Sequence, residues 1–418
     1  LNVLNFKSGS ELMVSKRKYI LSIIVVVLIT AFLTLTLGNV FMVGIGQRVV
    51  LSESTYRQMK DMYDKYAKQE KIMQIAKNNF LYEVDEEKML EGALIGTLKA
   101  LGDPYTQFMT KEEFAALMQD TEGTYEGIGV YITPSDDNKI LIVSPIEDTP
   151  AEKAGLRTGD KIVKINGTEF TAEQIDAAVS IMKGEPGTSV TLTIQRADSN
   201  GVQNSFDVDV NREKIRIKTI KPAMLGDNIG YIRITTFDMQ TAKDFKAAYN
   251  TLKNEGMESL IIDLRYNPGG MIDSTVEITD IFLEEGIITY TKTKAGEIDY
   301  FKSDKSMDDI PLALLINEGS ASASEIMAGA MKDTGRATLV GTRTFGKGIV
   351  QKVQRFGNDG EGIKMTVSEY FTPSGINIHG IGIEPDIEIH LPEEAEGYGY
   401  EFYEGDSQLQ KAVEILRK

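Results

Sequence analysis

The sequence predicts a multidomain fold: an apolar N-terminal helix with a helical arm, then a β-rich domain, then an α/β domain. The chain of 418 residues is too long for one simple core. One apolar run near the N-terminus is long enough for a membrane-spanning helix. Further along, closely spaced β-like runs give way to strands that alternate with helices. We place the segments at residues 1–18, 19–44, 45–118, 119–213, 214–390 and 391–418.

Residues 19–44 predict a membrane anchor. They contain no charged side chain, and about 20 such residues cross a bilayer as a helix. Lys16, Arg17 and Lys18 precede them, so the positive-inside rule keeps residues 1–18 in the cytoplasm and sends the rest across. We therefore expect a single-pass protein of the cell membrane with its folded domains outside the cytoplasm. A cleaved signal peptide is the alternative, although no clear A-x-A site follows the run.

Residues 45–118 predict a helical arm. Apolar and aromatic side chains recur at three- and four-residue steps among polar residues, at Tyr56, Met59, Met62, Tyr63 and Tyr66. A second helical run, residues 85–101, ends at the stop signal Gly102-Asp103-Pro104. The arm is a stalk or packing element in one interpretation and a homodimer contact in the other.

Residues 119–213 predict the β-rich domain. Its short β-like runs are 128–132, 140–143, 161–165 and 190–194. At the first run, a glycine-rich turn can point backbone amides inward to hold a terminal carboxylate, after which a peptide adds as a strand. That turn is Gly127, Ile128, Gly129 and Val130. A tight hairpin without a ligand is the alternative.

Residues 214–390 predict an α/β domain with crossover helices. The expected strands are 229–234, 260–264, 312–316 and 337–340, and the expected helices are 242–253, 274–282 and 322–332. The tail, residues 391–418, contains an amphipathic helix over 408–416 that we expect to pack on the core.

Composition excludes several classes of function. The net charge of -17 argues against a nucleic-acid partner, because binding to phosphates needs clustered Lys and Arg. The absence of Cys excludes disulfides, thiolate zinc sites and a Cys nucleophile. The two histidines, His379 and His390, leave few candidates for a histidine base, and no HExxH motif is present. No metal or organic cofactor is predicted.

Ser322 stands where a strand is expected to meet a helix. A Ser at a helix N-terminus lies among unpaired N–H groups and at the positive end of the helix dipole. Such a place suits a nucleophile whose intermediate is an oxyanion. Ser322 and Glu325 also have the spacing of a capping box, which many helices use without any chemistry.

Lys347 is flanked by Gly and by apolar residues. Desolvation lowers the pKa of a buried amine, which can then act as a base for Ser in place of His. Gln351 follows four residues later and shares a face with Lys347 if the chain is extended, so it could orient the amine. A surface Lys in a glycine turn is one alternative. A P-loop is another, but Gly348 stands where the Mg²⁺-binding hydroxyl belongs, and β-like residues follow instead of a helix.

A third stretch, residues 263–270, follows an apolar strand and ends in Gly269-Gly270. Two Gly after a Pro allow a turn that points backbone amides at one spot, as in an oxyanion hole. A plain strand-to-helix turn is the alternative.

Together these stretches resemble the carboxyl-terminal processing peptidases, also called tail-specific proteases. The strings that carry the resemblance are DLRYNPGG at 263–270, EGSASASEI at 318–326, TFGKGIVQ at 344–351 and GDPYTQFM at 102–109. In the β-rich segment, SPIEDTPAEKAGLRTGDKIVKING at 144–167 resembles a PDZ domain. The resemblance covers nearly the whole chain beyond the predicted anchor.

The resemblance implies an α/β serine protease domain with a crotonase-like core. It implies that Ser322 is the nucleophile, Lys347 the general base and Gln351 the residue that orients Lys347. The oxyanion hole would consist of backbone amides from Ala323 and from either Gly269 or Gly270.

The resemblance also implies that the PDZ domain grips substrate C-termini, with Gly127, Ile128, Gly129 and Val130 at the carboxylate. Lys183 stands where relatives often carry Arg, at a contact through which the domain can gate the active site. Apolar C-terminal tails of proteins are the expected substrates. A catalytically silent PDZ adaptor is the alternative, and a nucleotide-binding protein is a third.

Overall fold

The structure is a computed structural model that describes residues 15–37, 52–198 and 201–417. It forms two compact units, residues 1–92 and 93–418. In the first unit, α1 spans Lys16–Leu37 and α2 spans Glu53–Asn79. Helix α2 begins at Ser52, whose hydroxyl accepts the Thr55 amide at 3.1 Å and so satisfies an otherwise unpaired N–H group. No side chain of α2 is buried.

The predicted anchor is described only in part, because residues 38–44 lie outside the described ranges. Within those ranges, none of the helices combines the length and the apolar content that crossing a membrane requires.

The third helix, α3, spans Glu86–Lys99, and the second unit continues with β1 (Gln107–Met109), α4 (Lys111–Glu122) and β2 (Thr124–Gly127). A capping box starts α4, since the hydroxyl of Thr110 accepts the Glu113 amide at 3.2 Å while the Glu113 carboxylate accepts the Thr110 amide at 3.0 Å. The helix ends at Gly123, whose φ of 69° is the left-handed conformation that Gly adopts without strain.

The β-rich domain is a six-stranded antiparallel sheet with two short helices. Its strands are β3 (Val130–Pro134), β4 (Ile140–Pro145), β5 (Lys161–Ile165), β6 (Thr168–Glu169), β7 (Ser189–Ala197) and β8 (Gln203–Asn211). They lie in the order β3-β4-β5-β7-β8, with β6 beside β5. The helices are α5 (Pro150–Lys153) and α6 (Ile175–Met182). Strand β9 (Glu213–Arg216) leaves this domain and pairs with β2.

A second six-stranded sheet forms the centre of the α/β domain. Its strands, in spatial order, are β10 (Ile220–Met224), β11 (Ile229–Ile234), β12 (Ser259–Asp263), β15 (Leu312–Ile316), β16 (Thr338–Gly341) and β19 (Ile387–Glu388). All pairs are parallel except that of β10 with β11. Every residue of β12 and β15 is buried, as expected for strands covered on both faces.

Helices cover both faces of this sheet. They are α7 (Thr241–Asn254), α8 (Ile272–Asp280), α9 (Ala323–Asp333) and α10 (Ser407–Leu416). Side chains of α7, α8 and α9 share one apolar core with the sheet, while Leu409, Ala412 and Val413 of α10 pack on its other face. The C-terminal helix is therefore part of the folded domain.

A third sheet joins residues 107–109 to strands of the α/β domain. Strands β13 (Gly286–Thr293), β14 (Ile298–Ser303), β17 (Ile349–Phe356) and β18 (Glu361–Phe371) form it together with β1. Strand β1 pairs with β18, with Phe108 opposite Ile363. Residues that the sequence assigned to a helical arm thus add a strand to the sheet that also contains β17, the strand that follows Lys347.

Candidate active site

Ser322 lies in the turn between β15 and α9, immediately before the first helical residue. Its φ of 55° and ψ of -113° are values that residues other than Gly rarely adopt, so the turn is strained. Neighbouring hydrogen bonds hold it: Ser320 Oγ donates to the Leu264 carbonyl at 2.8 Å, and the Tyr370 hydroxyl donates to the Ser322 carbonyl at 3.1 Å. The half-buried Ser322 therefore stands at a helix N-terminus, where negative charge is favoured.

Glu325 is a functional candidate that sequence reasoning missed. Its fully buried Oε2 accepts the backbone amides of Ser322 at 2.9 Å and of Lys347 at 2.8 Å. Its Oε1 accepts the Thr344 hydroxyl and the Gly346 amide, both at 2.6 Å. One carboxylate thus joins the Ser322 turn to the loop that carries Lys347. The capping-box spacing predicts only the first of these four bonds.

Lys347 lies two residues before β17 and is half-buried. Burial lowers the pKa of its amine, and the positive charge of Lys364 lowers it further, while Glu325 and Asp103 act in the opposite direction. A lowered pKa enlarges the fraction of neutral amine, which is the form that accepts a proton. The electrostatics at Lys347 therefore suit a general base.

The arm contributes directly to this site. The Lys347 amine lies 4.7 Å from the centre of the Tyr105 ring. Tyr105 is held in place because its N–H donates to Asp103 Oδ1 at 3.0 Å, while the Thr106 hydroxyl donates to Asp103 Oδ2 at 2.6 Å. The sequence marks residues 102–109 as a motif, but only the structure gives them a place beside Lys347.

Gln351 lies on β17, with its Nε2 3.5 Å from Thr366 Oγ1 on β18. The pairing of β17 with β18 shifts register between Val350 and Gln351. The shift skips Val367 on β18 and leaves the alternation of residues along β17 intact, so the shared face of Gln351 and Lys347 stays a prediction. The hydrogen-bond neighbour that the structure gives the Gln351 amide is Thr366.

The three predicted catalytic side chains make no hydrogen bonds with one another in the part of the chain that the structure describes. The backbones of Ser322 and Lys347 are brought together through Glu325, whereas their reactive atoms are not paired. Catalytic hydrogen bonds are often long without substrate and tighten when it binds.

The turn that ends in Gly269-Gly270 lies directly against Ser322. A Cβ built on Gly269 would lie 2.8 Å from the Ala323 nitrogen and 2.9 Å from the Ser322 Cβ. The Gly269 amide already donates to Asn267 Oδ1 at 2.9 Å. Among the described residues, the amides of Gly270 and Ala323 donate to no backbone carbonyl, so they are the two free donors. The Gly269 amide is thus already paired, whereas the Gly270 and Ala323 amides are candidate donors for an oxyanion.

Asn267 ties this turn to the Ser322 turn. Fully buried, it donates from Nδ2 to the Ile234 carbonyl at 2.9 Å. Its own carbonyl accepts the Ala321 amide at 3.0 Å and the Ser324 hydroxyl at 2.9 Å. The two candidate oxyanion donors are therefore held at a fixed separation by hydrogen bonds that meet at one residue.

A buried ion-pair cluster lies at the base of the same turn. Nη2 of the fully buried Arg265 lies 2.6 Å from Asp263 Oδ2 and 2.8 Å from Asp406 Oδ2. Burial alone would lower the pKa of Arg265, but the two carboxylates outweigh it and raise that pKa. Asp406 immediately precedes α10, so the C-terminal segment is attached beneath the candidate oxyanion hole.

The β-rich domain has a groove of about 260 Å³ beside β3 and α6. Its lining includes all four residues of the predicted carboxylate turn: Gly127, Ile128, Gly129 and Val130. The rest of the lining combines apolar side chains with polar and charged ones: Ile132, Ile146, Val179, Met182 and Ile217 on one hand, and Asp120, Tyr125, Tyr131 and Lys183 on the other. The groove can therefore accept an apolar side chain next to a set of backbone amides.

Comparison with known proteins gives three matches to family models. Peptidase family S41 matches residues 228–389, a PDZ domain matches residues 141–196, and the N-terminal domain of the activating protease CtpB matches residues 42–113. In the chain, the match to a PDZ domain thus lies between the match to a protease N-terminal domain and the match to the peptidase family.

Two relatives are similar over most of their length. A carboxy-terminal-processing protease of Bartonella bacilliformis is 37% identical over 370 residues, which cover 86% of this chain and 83% of the relative. The carboxy-terminal processing protease CtpA of Bacillus subtilis is 36% identical over 333 residues, covering 79% and 70%. A putative S41 protease from Bacteroides fragilis is 15% identical in sequence, with a TM-score of 0.52 over 83% of this chain and 96% of that one, which is a likeness of fold.

Proposed function

The chain belongs to peptidase family S41, the carboxy-terminal processing proteases, and is a serine-type peptidase with a PDZ domain; from this premise we propose that it cleaves peptide bonds with Ser322 as nucleophile and Lys347 as general base. The observation that carries the proposal is the Glu325 carboxylate, which bonds to the backbones of both residues. Glu325 thus holds the Ser322 turn and the loop that carries Lys347 together at the N-terminus of α9.

In the proposed reaction, the neutral Lys347 amine accepts the proton of the Ser322 hydroxyl as Oγ attacks the scissile carbonyl carbon. The carbonyl oxygen becomes an oxyanion and is held by the amides of Gly270 and Ala323. When the tetrahedral intermediate collapses, the ammonium of Lys347 gives its proton to the leaving amine and an acyl-enzyme forms. Water then attacks the ester with Lys347 again as base, and its return of the proton to Ser322 Oγ releases the acid product.

Gln351 has a supporting role in this proposal. Its amide lies within 3.5 Å of Thr366, whose backbone amide donates to the Thr106 hydroxyl at 3.0 Å. For Gln351 to orient the Lys347 amine, its side chain has to turn from Thr366 toward Lys347. We assign this movement to substrate binding.

The PDZ groove is proposed to bind the C-terminus of the substrate. Apolar walls beside backbone amides suit a tail that ends in an apolar residue, since the amides take the carboxylate and the walls take the side chain. Such a tail would dock as a strand beside β3 while a more distant bond is cut at Ser322.

Membrane attachment and self-association are further proposals. The uncharged run at residues 19–44 and the basic residues before it support a single-pass anchor in the cell membrane, with the protease domain outside the cytoplasm. Exposed apolar side chains on α2, among them Tyr56, Met59 and Tyr63, support a homodimer contact. If deleting residues 1–44 leaves the protein in the membrane fraction, the anchor proposal is wrong. If sedimentation gives a monomer for the parent, the dimer proposal is wrong.

The catalytic proposal is tested with an unfolded substrate protein that ends in apolar residues. It is incubated separately with the parent chain, with Ser322→Ala and with Lys347→Ala. Lys352→Ala serves as the matched control, because Lys352 is an exposed lysine on β17. We expect cleavage by the parent and the control only, with thermal melting unchanged in all four. Cleavage by Ser322→Ala would move the nucleophile elsewhere. Peptide binding by a parent that never cleaves would favour the silent adaptor instead.

A further inference from the structure

Tyr105 lies against the amine that is proposed to act as the base. The Lys347 amine lies over the Tyr105 ring, 4.7 Å from its centre. In the described part of the chain, this is the shortest distance between a lysine amine and an aromatic ring. The negative face of a ring attracts a cation within about 6 Å of its centre, and more strongly where water is excluded. Because both side chains are half-buried, the contact has the geometry of a cation–π interaction at a partly desolvated site.

The segment that carries Tyr105 is fixed through its neighbours. The Tyr105 N–H donates to Asp103 Oδ1 at 3.0 Å, and the Thr106 hydroxyl donates to Asp103 Oδ2 at 2.6 Å. The Thr106 hydroxyl in turn accepts the backbone amide of Thr366 on β18 at 3.0 Å. Strand β1, which begins at Gln107, pairs with β18 directly after these bonds. The ring is therefore placed by the backbone of its own segment, which a change of the Tyr105 side chain leaves attached.

Gln351, the residue expected to orient Lys347, lies elsewhere in the resting structure. Its Nε2 is 3.5 Å from Thr366 Oγ1, and it has to turn to reach the amine. Tyr105 needs no such movement. It also lies outside residues 228–389, the peptidase match, and inside residues 42–113, the match to a protease N-terminal domain. A side chain that precedes the PDZ domain in the chain thus lies at the candidate base.

We propose that Tyr105 is a positioning residue for the general base, because its ring holds the Lys347 amine and stabilises the ammonium formed when Lys347 takes the proton of the Ser322 hydroxyl. This inference rests on the proposed function of Lys347. As Oγ attacks the scissile carbonyl carbon, its proton passes to the amine and the amine becomes a cation. The ring attracts that cation and not the neutral amine, so it contributes more after proton transfer than before. Interactions that strengthen toward the transition state raise kcat.

The pH dependence distinguishes this role from simple shielding. Without the ring, the ammonium loses a stabilising contact, so the pKa of Lys347 falls and the neutral amine prevails at lower pH. If the ring only excluded water, its loss would raise that pKa instead, because desolvation lowers the pKa of an amine. Substituting Tyr105 leaves in place the charged and titratable groups around the amine, which are Lys364 on β18, Glu325 on α9, Asp103, and His379, which acts on Asp103.

The test measures kcat and kcat/KM against pH for the full chain, with a fluorogenic peptide that ends in apolar residues. Tyr105→Leu keeps an apolar side chain without a π face. We expect its kcat on the plateau to fall about 10-fold and the rising limb of kcat/KM to move about one pH unit lower. Tyr105→Phe keeps the ring and should match the parent in both.

Tyr300→Leu is the matched control. It removes a ring from the same sheet that also lies near a lysine amine, that of Lys302, 5.8 Å from the ring centre. Tyr300 is 52% exposed, and its pair has no place in the proposed reaction. The control should leave kcat and the limb as in the parent.

A fluorinated phenylalanine incorporated at position 105 gives a second measurement, which keeps the size of the ring. Fluorine withdraws negative charge from the face of the ring and so removes the attraction for the ammonium. This variant keeps the packing of the parent. We expect it to lower kcat and shift the limb as Tyr105→Leu does, including where Tyr105→Leu itself lowers the melting temperature.

The outcomes separate this inference from the function on which it rests. Tyr105 does not hold the ammonium if the limb of the fluorinated variant stays in place or moves to higher pH. The ring is also not the active group if Tyr105→Phe loses as much activity as Tyr105→Leu. If Lys347→Ala cleaves as the parent does, Lys347 is not the base, and the inference falls with the proposed function.

Discussion

Replacing Glu325 with Gln should separate the two loops of the site while leaving the side-chain volume almost unchanged. Gln puts an NH₂ group where one carboxylate oxygen stands, and each oxygen accepts two hydrogen bonds. Two of the four donors would then face another donor. Hydrogen bonds to a charged group contribute about 1.5–3 kcal/mol each. The two lost bonds alone correspond to about 3–6 kcal/mol, a large share of the stability of an ordinary domain.

The substitution should also lower the activity, because the groups that donate to Glu325 Oε2 are the backbone amides of Ser322 and Lys347. If the loops separate by about 1 Å, kcat should fall by about 100-fold, with a smaller change in KM because Glu325 does not line the PDZ groove. The assay is cleavage of a fluorogenic peptide with an apolar C-terminus. Unfolding in guanidinium chloride, measured on the same samples, should show a loss of about 3 kcal/mol or more.

Glu318→Gln is the matched control. Glu318 lies on the same turn but is exposed and accepts one hydrogen bond, from the Thr342 hydroxyl at 3.0 Å. Its replacement should change the free energy of unfolding by less than about 0.5 kcal/mol and leave kcat as in the parent. The reasoning is refuted if Glu325→Gln keeps kcat within a factor of two of the control.

Three further predictions concern pH, stability and packing. The positive charge of Lys364 helps to lower the pKa of Lys347, so Lys364→Gln should raise that pKa. In a plot of kcat/KM against pH, the rising limb should then shift to higher pH. A limb that does not shift would mean that Lys347 is not the titrating base. Asp406→Asn leaves the buried Arg265 with one carboxylate and should cost about 3 kcal/mol in denaturant unfolding, whereas an unchanged midpoint would contradict the ion-pair cluster. Gly269→Ala places a Cβ 2.6 Å from the Ala321 carbonyl and should lower kcat by about 100-fold with the fold retained, and full activity would disprove the close packing.

Local patterns predicted much of the α/β domain. The run at residues 312–316 coincides with β15, and the helix expected from residue 322 begins at Ala323. These predictions hold because apolar runs and helix caps depend on neighbours within a few residues. The cross-strand neighbours of Gln351 depend instead on how β17 pairs with β18, and the register shift between these two strands cannot be read from a single strand.

The sequence by itself determined the order of the domains, the family resemblance and the candidate pair Ser322 and Lys347, because each is encoded in a short contiguous string. Only the tertiary structure decided which groups surround that candidate pair. Glu325 reaches Lys347 across 22 residues, and Asp406 reaches Arg265 across 141. Tyr105, from the predicted arm, lies beside the Lys347 amine. The Gly269 amide donates to Asn267, and this bond sets Gly269 apart from Gly270. Such contacts join buried polar groups that satisfy one another only when distant segments pack, and that condition leaves no periodic signal in the chain.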